Sequence, residues 1–197
     1  MKIATWNVNG IRARQAQVQE WISRERPDVV CLQELKAASD QVPEALCEME
    51  GYWCYWHGGK DFPAKMRFLE ALDEYAASSQ AGGGRLILCG DMNVARTDID
   101  VHPKERKPRA IGQLPEERAL IERLIGRGMV DLGRALDPEN HGLFTWWAPW
   151  RNMRQRNIGW RLDYVFASAQ LAERATSCPV QKDVGTSDHA PVMAIFR

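Results

Sequence analysis

Four short polar patches, each set at one end of an apolar run, hold the residues best equipped for chemistry. They read TWNVNG (Thr5–Gly10), CLQE (Cys31–Glu34), CGDMN (Cys89–Asn93) and TSDHAPV (Thr186–Val192). Glu34 and Asp188 are hard oxygen donors and Asn7 adds a neutral one. This donor type suits Mg²⁺, which takes one or two protein carboxylates and keeps several waters beside a substrate phosphate. Asp91 and Asn93, two apart on an extended segment, point to the same side. Asp91 is placed to hold or deprotonate an attacking water, and Asn93 to orient it or donate to a phosphate oxygen. His189 follows Asp188 directly, so on extended backbone their side chains diverge. His189 then needs a different carboxylate, and Asp163 in RLDYVF is the candidate. A carboxylate on one ring nitrogen orients the imidazole and favours its charged form.

A single Asp or Asn at a strand end is usually a cap or turn residue, and Asn9-Gly10 alone is a turn signal. The joint occurrence of carboxylates, amides and histidine at four such ends argues for a shared site where several strands terminate.

Strands are expected at 2–7, 28–33, 52–56 and 85–89, and then at 143–147, 161–166, 175–180 and 190–196. Helices are expected at 12–25, ended by Pro27, at about 43–50, and at 115–127. A further helix starts with Asp61 as cap and Pro63 in its first turn, and buries Phe62, Met66, Leu69, Leu72 and Ala76. Residues 94–114 read as a long surface loop. Strands interleaved with helices give an α/β or α+β layered fold. The 197 residues suit one domain, 1–197, with no dividing linker. Formal net charge is zero, which excludes nothing about nucleic acid because charge distribution matters more than its sum. No run approaches membrane-spanning length. Five scattered cysteines without a C-x-x-C pattern suit the cytoplasm. Gly82–Gly84 lacks the Lys-Ser/Thr of a phosphate loop and reads as a helix end.

The motifs WNVNGIRA, LQELK, GDMNVA, GWRLDY and SDHAPV together resemble the exonuclease III family of abasic-site endonucleases, within the endonuclease/exonuclease/phosphatase superfamily. The similarity runs from Met1 to Arg197, and GWRLDY separates it from the phosphatase and sphingomyelinase branches. The resemblance implies a four-layer α/β sandwich of two face-to-face sheets flanked by helices. It implies Mg²⁺-dependent hydrolysis of the phosphodiester 5′ to an abasic site, with Mn²⁺ a possible substitute, and an accompanying 3′→5′ exonuclease activity. The implied partner is double-stranded DNA with abasic sites or 3′ ends, bound by a monomer without membrane. Carried over by resemblance, Glu34 is the main metal ligand, with Asn7 and Asp188 near it and Asp91 and Asn93 in the same metal site. Asp91 handles the nucleophilic water, Asn93 and His189 donate to the scissile phosphate, and Asp163 partners His189.

Between Asn140 and Leu162 no acidic residue occurs, while Arg151, Arg154, Arg156 and Arg161 alternate with Trp146, Trp147, Trp150 and Trp160. Basic and aromatic groups so mixed suit a surface that tracks phosphates and packs on exposed sugars or bases. Trp147 and Trp150 read equally well as packing. By resemblance, Trp146, Trp160 and Leu162 wall a pocket for an extruded abasic sugar, and Arg12, Asn157 and Arg161 complete the DNA-binding set. The loop bearing Lys104, Arg106, Lys107 and Arg109 is a second basic patch, equally readable as a solvated loop.

The chain departs from the family in one place. YWCYWHGGK runs directly into DFPAKMRFLEAL, where family members carry several tens of residues. That stretch contributes strands to the N-terminal sheet, and a tyrosine in a Y-x-P-N-G-like turn that contacts the scissile phosphate. An internal deletion between Lys60 and Asp61 is therefore expected, with the N-terminal sheet short of strands. Lost strands leave backbone groups unpaired and open an edge. Such losses exceed net stabilities of roughly 5–15 kcal/mol, so a weakened or misfolded protein is expected. Two rival readings follow: an impaired deletion variant that at most binds DNA, and another metal-dependent phosphoesterase of the superfamily.

Overall fold

The structure, a computed structural model, describes residues 1–56, 65–107 and 109–197. Among the described residues, seven strands form two sheets. The first contains β1 (Lys2–Asn7), β2 (Val29–Gln33), β6 (Ala175–Ser177) and β7 (Val192–Phe196), in the order β2-β1-β7-β6. The second contains β3 (Ile87–Asp91), β4 (Met129–Asp131) and β5 (Asp163–Ser168), in the order β3-β5-β4. Three longer helices flank them: α1 (Ile11–Glu25), α3 (Lys65–Ala81, from the first described residue onward) and α4 (Pro115–Gly126). The short helices are α2 (Glu44–Cys47), α5 (Leu132–Leu136) and α6 (Ala169–Ala172).

Strand alternation sorts the side chains into layers. From β1, Ala4 and Trp6 turn outward and pack with Val18, Trp21 and Ile22 of α1. Ile3 turns inward and meets Val192, Ala194, Val165 and Ala167 between the sheets. From β5, Tyr164 and Phe166 turn outward onto Leu69 and Ala76 of α3 and Leu120, Ile121 and Leu124 of α4. The layers are thus α1, first sheet, second sheet, and α3 with α4, which is the expected four-layer sandwich.

Local signals explain the helix ends. α1 closes at Arg26, whose left-handed backbone (φ 49°) lets its N–H reach the Ile22 carbonyl, and Pro27 cannot continue the helix. α4 opens with Pro115. Its Glu117 carboxylate accepts from the Leu114 and Gly112 N–H groups and pairs with Lys65 of α3 at 2.6 Å.

Several elements differ from expectation. Residues 52–56 form no strand, and Trp53 and Tyr55 are 92% and 89% exposed. A strand needs a partner for its backbone groups, and among the described residues β2 pairs only with β1. Residues 143–147 form a loop with single bridges from Trp146 to Trp160 and His189. β6 stops at Ser177, and β7 begins at Val192. The loop after Asn93 is more than a surface excursion: Val94, Ala95, Val101 and Asp100 are buried in it. β4 and α5 have no counterpart in the sequence reading, because three strand residues are too few to show a period. Asp61, Phe62, Pro63 and the junction at Lys60 lie outside the described residues.

Arg161 is the main correction to the expected DNA-binding set. It is 2% exposed, and both of its faces are occupied within the fold. Its Nη1 and Nη2 donate to the Asp131 carboxylate at 2.8 and 2.6 Å, and its Nε donates to Asp100 at 2.7 Å. Arg134 adds a second cation on Asp100 at 2.8 Å. The cluster ties the 94–114 loop to the second sheet. A buried guanidinium needs such partners, since isolated buried charge is very costly.

Burial alone would push the Asp100 carboxyl up, but the charges and hydrogen bonds of Arg161 and Arg134 bring it down to about 2. Its stabilising contribution is therefore fully present above the ordinary aspartate range and lost as pH falls through about 2. Asp100→Ala is expected to destabilise the protein by about 3 kcal/mol in urea unfolding at neutral pH, because it strands part of a buried charge. The gap between parent and variant should narrow as the pH approaches 2.

Candidate active site

Three strand ends deliver the polar groups, and the parity that builds the core also aims them. Asn7 shares the inward face of Ile3, Asp91 that of Cys89, and Asp163 that of Val165. β3 and β5 are antiparallel with Asp91 opposite Asp163, so the two carboxylates arise side by side. Asn7 lies on the other sheet, and its Nδ2 donates to Asp91 Oδ2 at 2.9 Å. That hydrogen bond spans the gap between the sheets.

His189 enters from the segment before β7. Its Nδ1 meets Asp163 Oδ2 at 2.8 Å, and its Nε2 stands 3.7 Å from Asp91 Oδ2. The expected divergence of the neighbouring pair is observed. Asp188 turns the other way and accepts from Asn9 Nδ2 at 2.8 Å and Trp146 Nε1 at 3.1 Å. Asn93 folds back on Asp91: its N–H donates to Oδ1 at 2.8 Å and its Nδ2 to Oδ2 at 3.2 Å. Its backbone is left-handed at φ 52°, which asparagine tolerates better than most residues. Glu34 is also left-handed, at φ 50°, and its carbonyl accepts from the Gly10 N–H. Its carboxylate is half-exposed and pairs with Lys36 at 3.0 Å. Lys36 also donates to Asn9 Oδ1, so Glu34 and Asp188 belong to one network.

Burial and charge set the protonation states. Burial and the neighbouring Asp163 charge raise the Asp91 carboxyl to about 6, against the opposing pull of His189, Asn7 and Asn93. Burial disfavours charge on His189. The Asp163 carboxylate outweighs this with its charge and hydrogen bond, helped by Asp91 and Asp188, and lifts the imidazole to about 9. Between those values Asp91 is an anion and His189 a cation, with Nε2–H free to donate.

Two groupings could hold a cation. Asp91, Asp163 and His189 bring one ligand atom each within 4.8 Å of one another. In the metal-free protein His189 is held by Asp163 as a hydrogen-bond donor. Glu34, Asn7 and Asp188 offer only oxygen donors, and Glu34 still faces solvent. This set fits a hard divalent ion.

Some groups were not singled out from the sequence. Asn9, which with Gly10 carries only a turn signal in the sequence, sits one alternate position from Asn7 and bridges Lys36 to Asp188. Thr145 is fully buried, and its Oγ1 accepts from the Leu162 and Asp163 N–H groups at 2.9 and 3.0 Å. Its carbonyl accepts from the Ala190 N–H at 2.8 Å, so one residue fixes the backbone beside both Asp163 and His189. A lone threonine in the apolar run LFTWW was its sequence signal. Ser187 accepts from the His189 N–H and donates to the Asn7 carbonyl.

The expected DNA-facing residues divide into two kinds. Trp146 and Trp160 are half-buried and meet edge to face at 5.7 Å, with Leu162 buried beside them. Gly112 lies under Trp160: a Cβ there would stand 3.1 Å from the ring, on a backbone with φ of 90°. Arg12, Arg151 and Arg156 are exposed. Asn157 is half-buried and holds the loop, accepting from Trp147 Nε1 and donating to the Gly142 carbonyl. Arg154 is structural: its guanidinium lies over the Trp147 ring at 5.0 Å and donates to the Lys182, Val184 and Ser187 carbonyls. Trp147 is buried packing, whereas Trp150 is exposed.

The family model described as Endonuclease/Exonuclease/phosphatase family matches residues 4–189. An exodeoxyribonuclease of Bacillus subtilis is 30% identical over 254 positions, covering all of this chain and 99% of the relative. Recombination repair protein 1 of Drosophila melanogaster is also 30% identical, but the chain spans only 37% of its length. An AP endonuclease structure from Archaeoglobus fulgidus superposes with a TM-score of 0.89 at 25% identity, covering 100% of this chain and 99% of that one. A Neisseria 3′ phosphatase bound to a product DNA hairpin gives 0.91 at 28% identity, with the same coverage. The chain therefore belongs to the endonuclease/exonuclease/phosphatase family, and within it to the exonuclease III group of nucleases. The Bacillus alignment also carries a size difference: 254 positions against 197 residues means at least 57 positions without a counterpart here.

Asp163→Asn is expected to lower the His189 titration midpoint in the metal-free protein from about 9 to below the ordinary histidine value, because burial then acts unopposed by the nearest charge. NMR titration of the imidazole carbon-bound protons would show it, and Asp188→Asn should move the midpoint much less.

Proposed function

We propose that the protein is a Mg²⁺-dependent DNA-repair hydrolase that cuts the phosphodiester 5′ to an abasic site, leaving a 3′-hydroxyl, and that also removes nucleotides from 3′ ends. The observation that carries this reading is the Asp163–His189 pair held beside Asp91, next to an aromatic wall anchored on Asp188. The names of the Bacillus and Archaeoglobus relatives support the two activities. Abasic DNA is preferred over a small phosphate ester because Trp146, Trp160 and Leu162 form an apolar wall against the site.

Glu34, with Asn7 and Asp188, is the set that would hold the cation. Bound there, Mg²⁺ or Mn²⁺ would draw charge from a phosphate oxygen. Asp91, anionic at neutral pH, accepts a hydrogen bond from the attacking water and takes its proton as the water bonds to phosphorus; the P–O3′ bond breaks, and the 3′ oxygen takes a proton from solvent and leaves as the 3′-hydroxyl. Asn7 holds Asp91 at one oxygen so that its orientation is fixed before substrate arrives. Asn93 donates to a non-bridging oxygen, and His189 donates Nε2–H to the charge that develops on the phosphoryl group. Asp163 keeps that ring charged and aimed. Exposed Arg12, Arg151 and Arg156 supply phosphate contacts along the duplex. The protein acts as a monomer in the cytoplasm in this reading. No helix among the described residues is long and apolar enough to cross a membrane.

The test is incision of a duplex oligonucleotide containing one abasic site, with Mg²⁺ and with chelator. Metal-dependent cutting on the 5′ side is expected, and Asp91→Asn should reduce it by about 10²–10⁴-fold. Duplex binding without any cutting by the parent chain would replace this reading with that of an impaired variant. Cutting of a small phosphate ester but not abasic DNA would move the chain to another phosphoesterase branch.

A further inference from the structure

Two thiols stand on facing edges of the two sheets, and the site uses neither. Cys31 is the middle residue of β2, the edge strand of the first sheet. Cys89 is the middle residue of β3, the edge strand of the second. Strand alternation turns both inward. Val30 and Leu32 pack outward with the α1 cluster, which leaves Cys31 on the opposite face, and Cys89 packs against the inter-sheet cluster. β2 and β3 approach within 8 Å, Cα to Cα. Both cysteines are free and half-buried, and among the described residues neither strand has a second paired neighbour outside it. Small oxidants in solvent can therefore reach a pair that the rest of the inter-sheet core would hide.

We propose that Cys31 and Cys89 form a peroxide-sensitive dithiol that closes to a disulfide between the two sheets. Cross-links between facing sheets are sterically feasible, as in antibody domains. They require Cα atoms about 4.4–6.8 Å apart, so the bond forms when the two edge strands bring these residues to that separation. The Cys31 thiolate attacks one oxygen of hydrogen peroxide. The O–O bond breaks, Cys31 becomes a sulfenic acid, and the departing hydroxide takes a proton and leaves as water. Cys89 sulfur then attacks the Cys31 sulfur. The S–S bond forms, the S–O bond breaks, and the hydroxyl leaves as a second water with the Cys89 proton. Two thiols are oxidised by two electrons and one peroxide is reduced to two waters. Cys31 is the attacking partner. It is the less buried of the two, and the neighbouring Cys89 favours its thiolate against the opposing effect of burial. Glu34 lies three residues beyond Cys31 and Asp91 two beyond Cys89, so the bond tethers the strands that present both carboxylates.

The decisive experiment is non-reducing peptide mapping of the native 197-residue protein after treatment with excess hydrogen peroxide, with thiols counted in denaturant. The expected result is loss of two of the five thiols and a linked pair of tryptic peptides, Glu25–Lys36 with Leu86–Arg96. Dithiothreitol should restore all five. The oxidised form should melt several degrees higher, since the link closes a loop of about 60 residues. Cys47→Ser and Cys54→Ser should leave the linkage intact, and Cys31→Ser should abolish it. The proposal is overturned if Glu25–Lys36 is linked instead to the peptide carrying Cys47 and Cys54, or to that carrying Cys178. It is equally overturned if Cys31 only gains oxygen atoms and no cross-link forms. The map of the parent protein decides the matter even if Cys31→Ser fails to fold.

Discussion

Asn7 donates to Asp91 across the space between the sheets, and the other groups of the site are arranged around that 2.9 Å contact. Away from that rim the described inter-sheet contact is a cluster of apolar side chains, which attract without direction. A directional bond at the rim sets how the strand ends lie relative to one another. Asp163 then stands beside Asp91 through the β3–β5 register, and His189 reaches both. The polar rim and the apolar core follow from one alternation of side chains along the same strands.

This placement has an electrostatic consequence. Carboxylates at the mouth of an apolar core are costly to charge, and two adjacent ones repel. The structure offsets that cost with one imidazolium between them. Asp91 and His189 consequently hold opposite charges over a broad range around neutrality. The buried Arg161 cluster solves a similar problem at the 94–114 loop, with two carboxylates against two guanidinium groups. It stabilises the scaffold, and the Arg161 guanidinium is buried and fully paired within the fold.

Residue type and short-range spacing carried most of the site in the sequence. Asp188 diverging from His189 follows from extended backbone, and the Asp163 partner follows from the need of a buried histidine for a carboxylate, whereas Asn93 meets Asp91 through its left-handed backbone and not through strand alternation. Long-range burial was not legible. Arg161 looks like a phosphate contact because it sits among tryptophans and arginines, and only Asp100 and Asp131, 61 and 30 residues away, show otherwise. Arg154 misleads for the same reason, since its partners are carbonyls, which carry no sequence signal. Residues 52–56 have strand composition, but composition cannot supply a neighbouring strand.

At least 57 positions of the alignment with the Bacillus relative have no residue of this chain, and the chain still places both sheets face to face with the strand ends together. Trp53 and Tyr55 are exposed, and among the described residues β2 pairs only with β1. The central claim is that the inter-sheet core and its polar rim form one cooperative unit within these 197 residues. Scanning calorimetry of the chain tests it most directly. One transition, with calorimetric and van't Hoff enthalpies equal, is the predicted result. A broad melt with a calorimetric enthalpy well away from the van't Hoff value would contradict the account, because the two sheets would then not be holding each other.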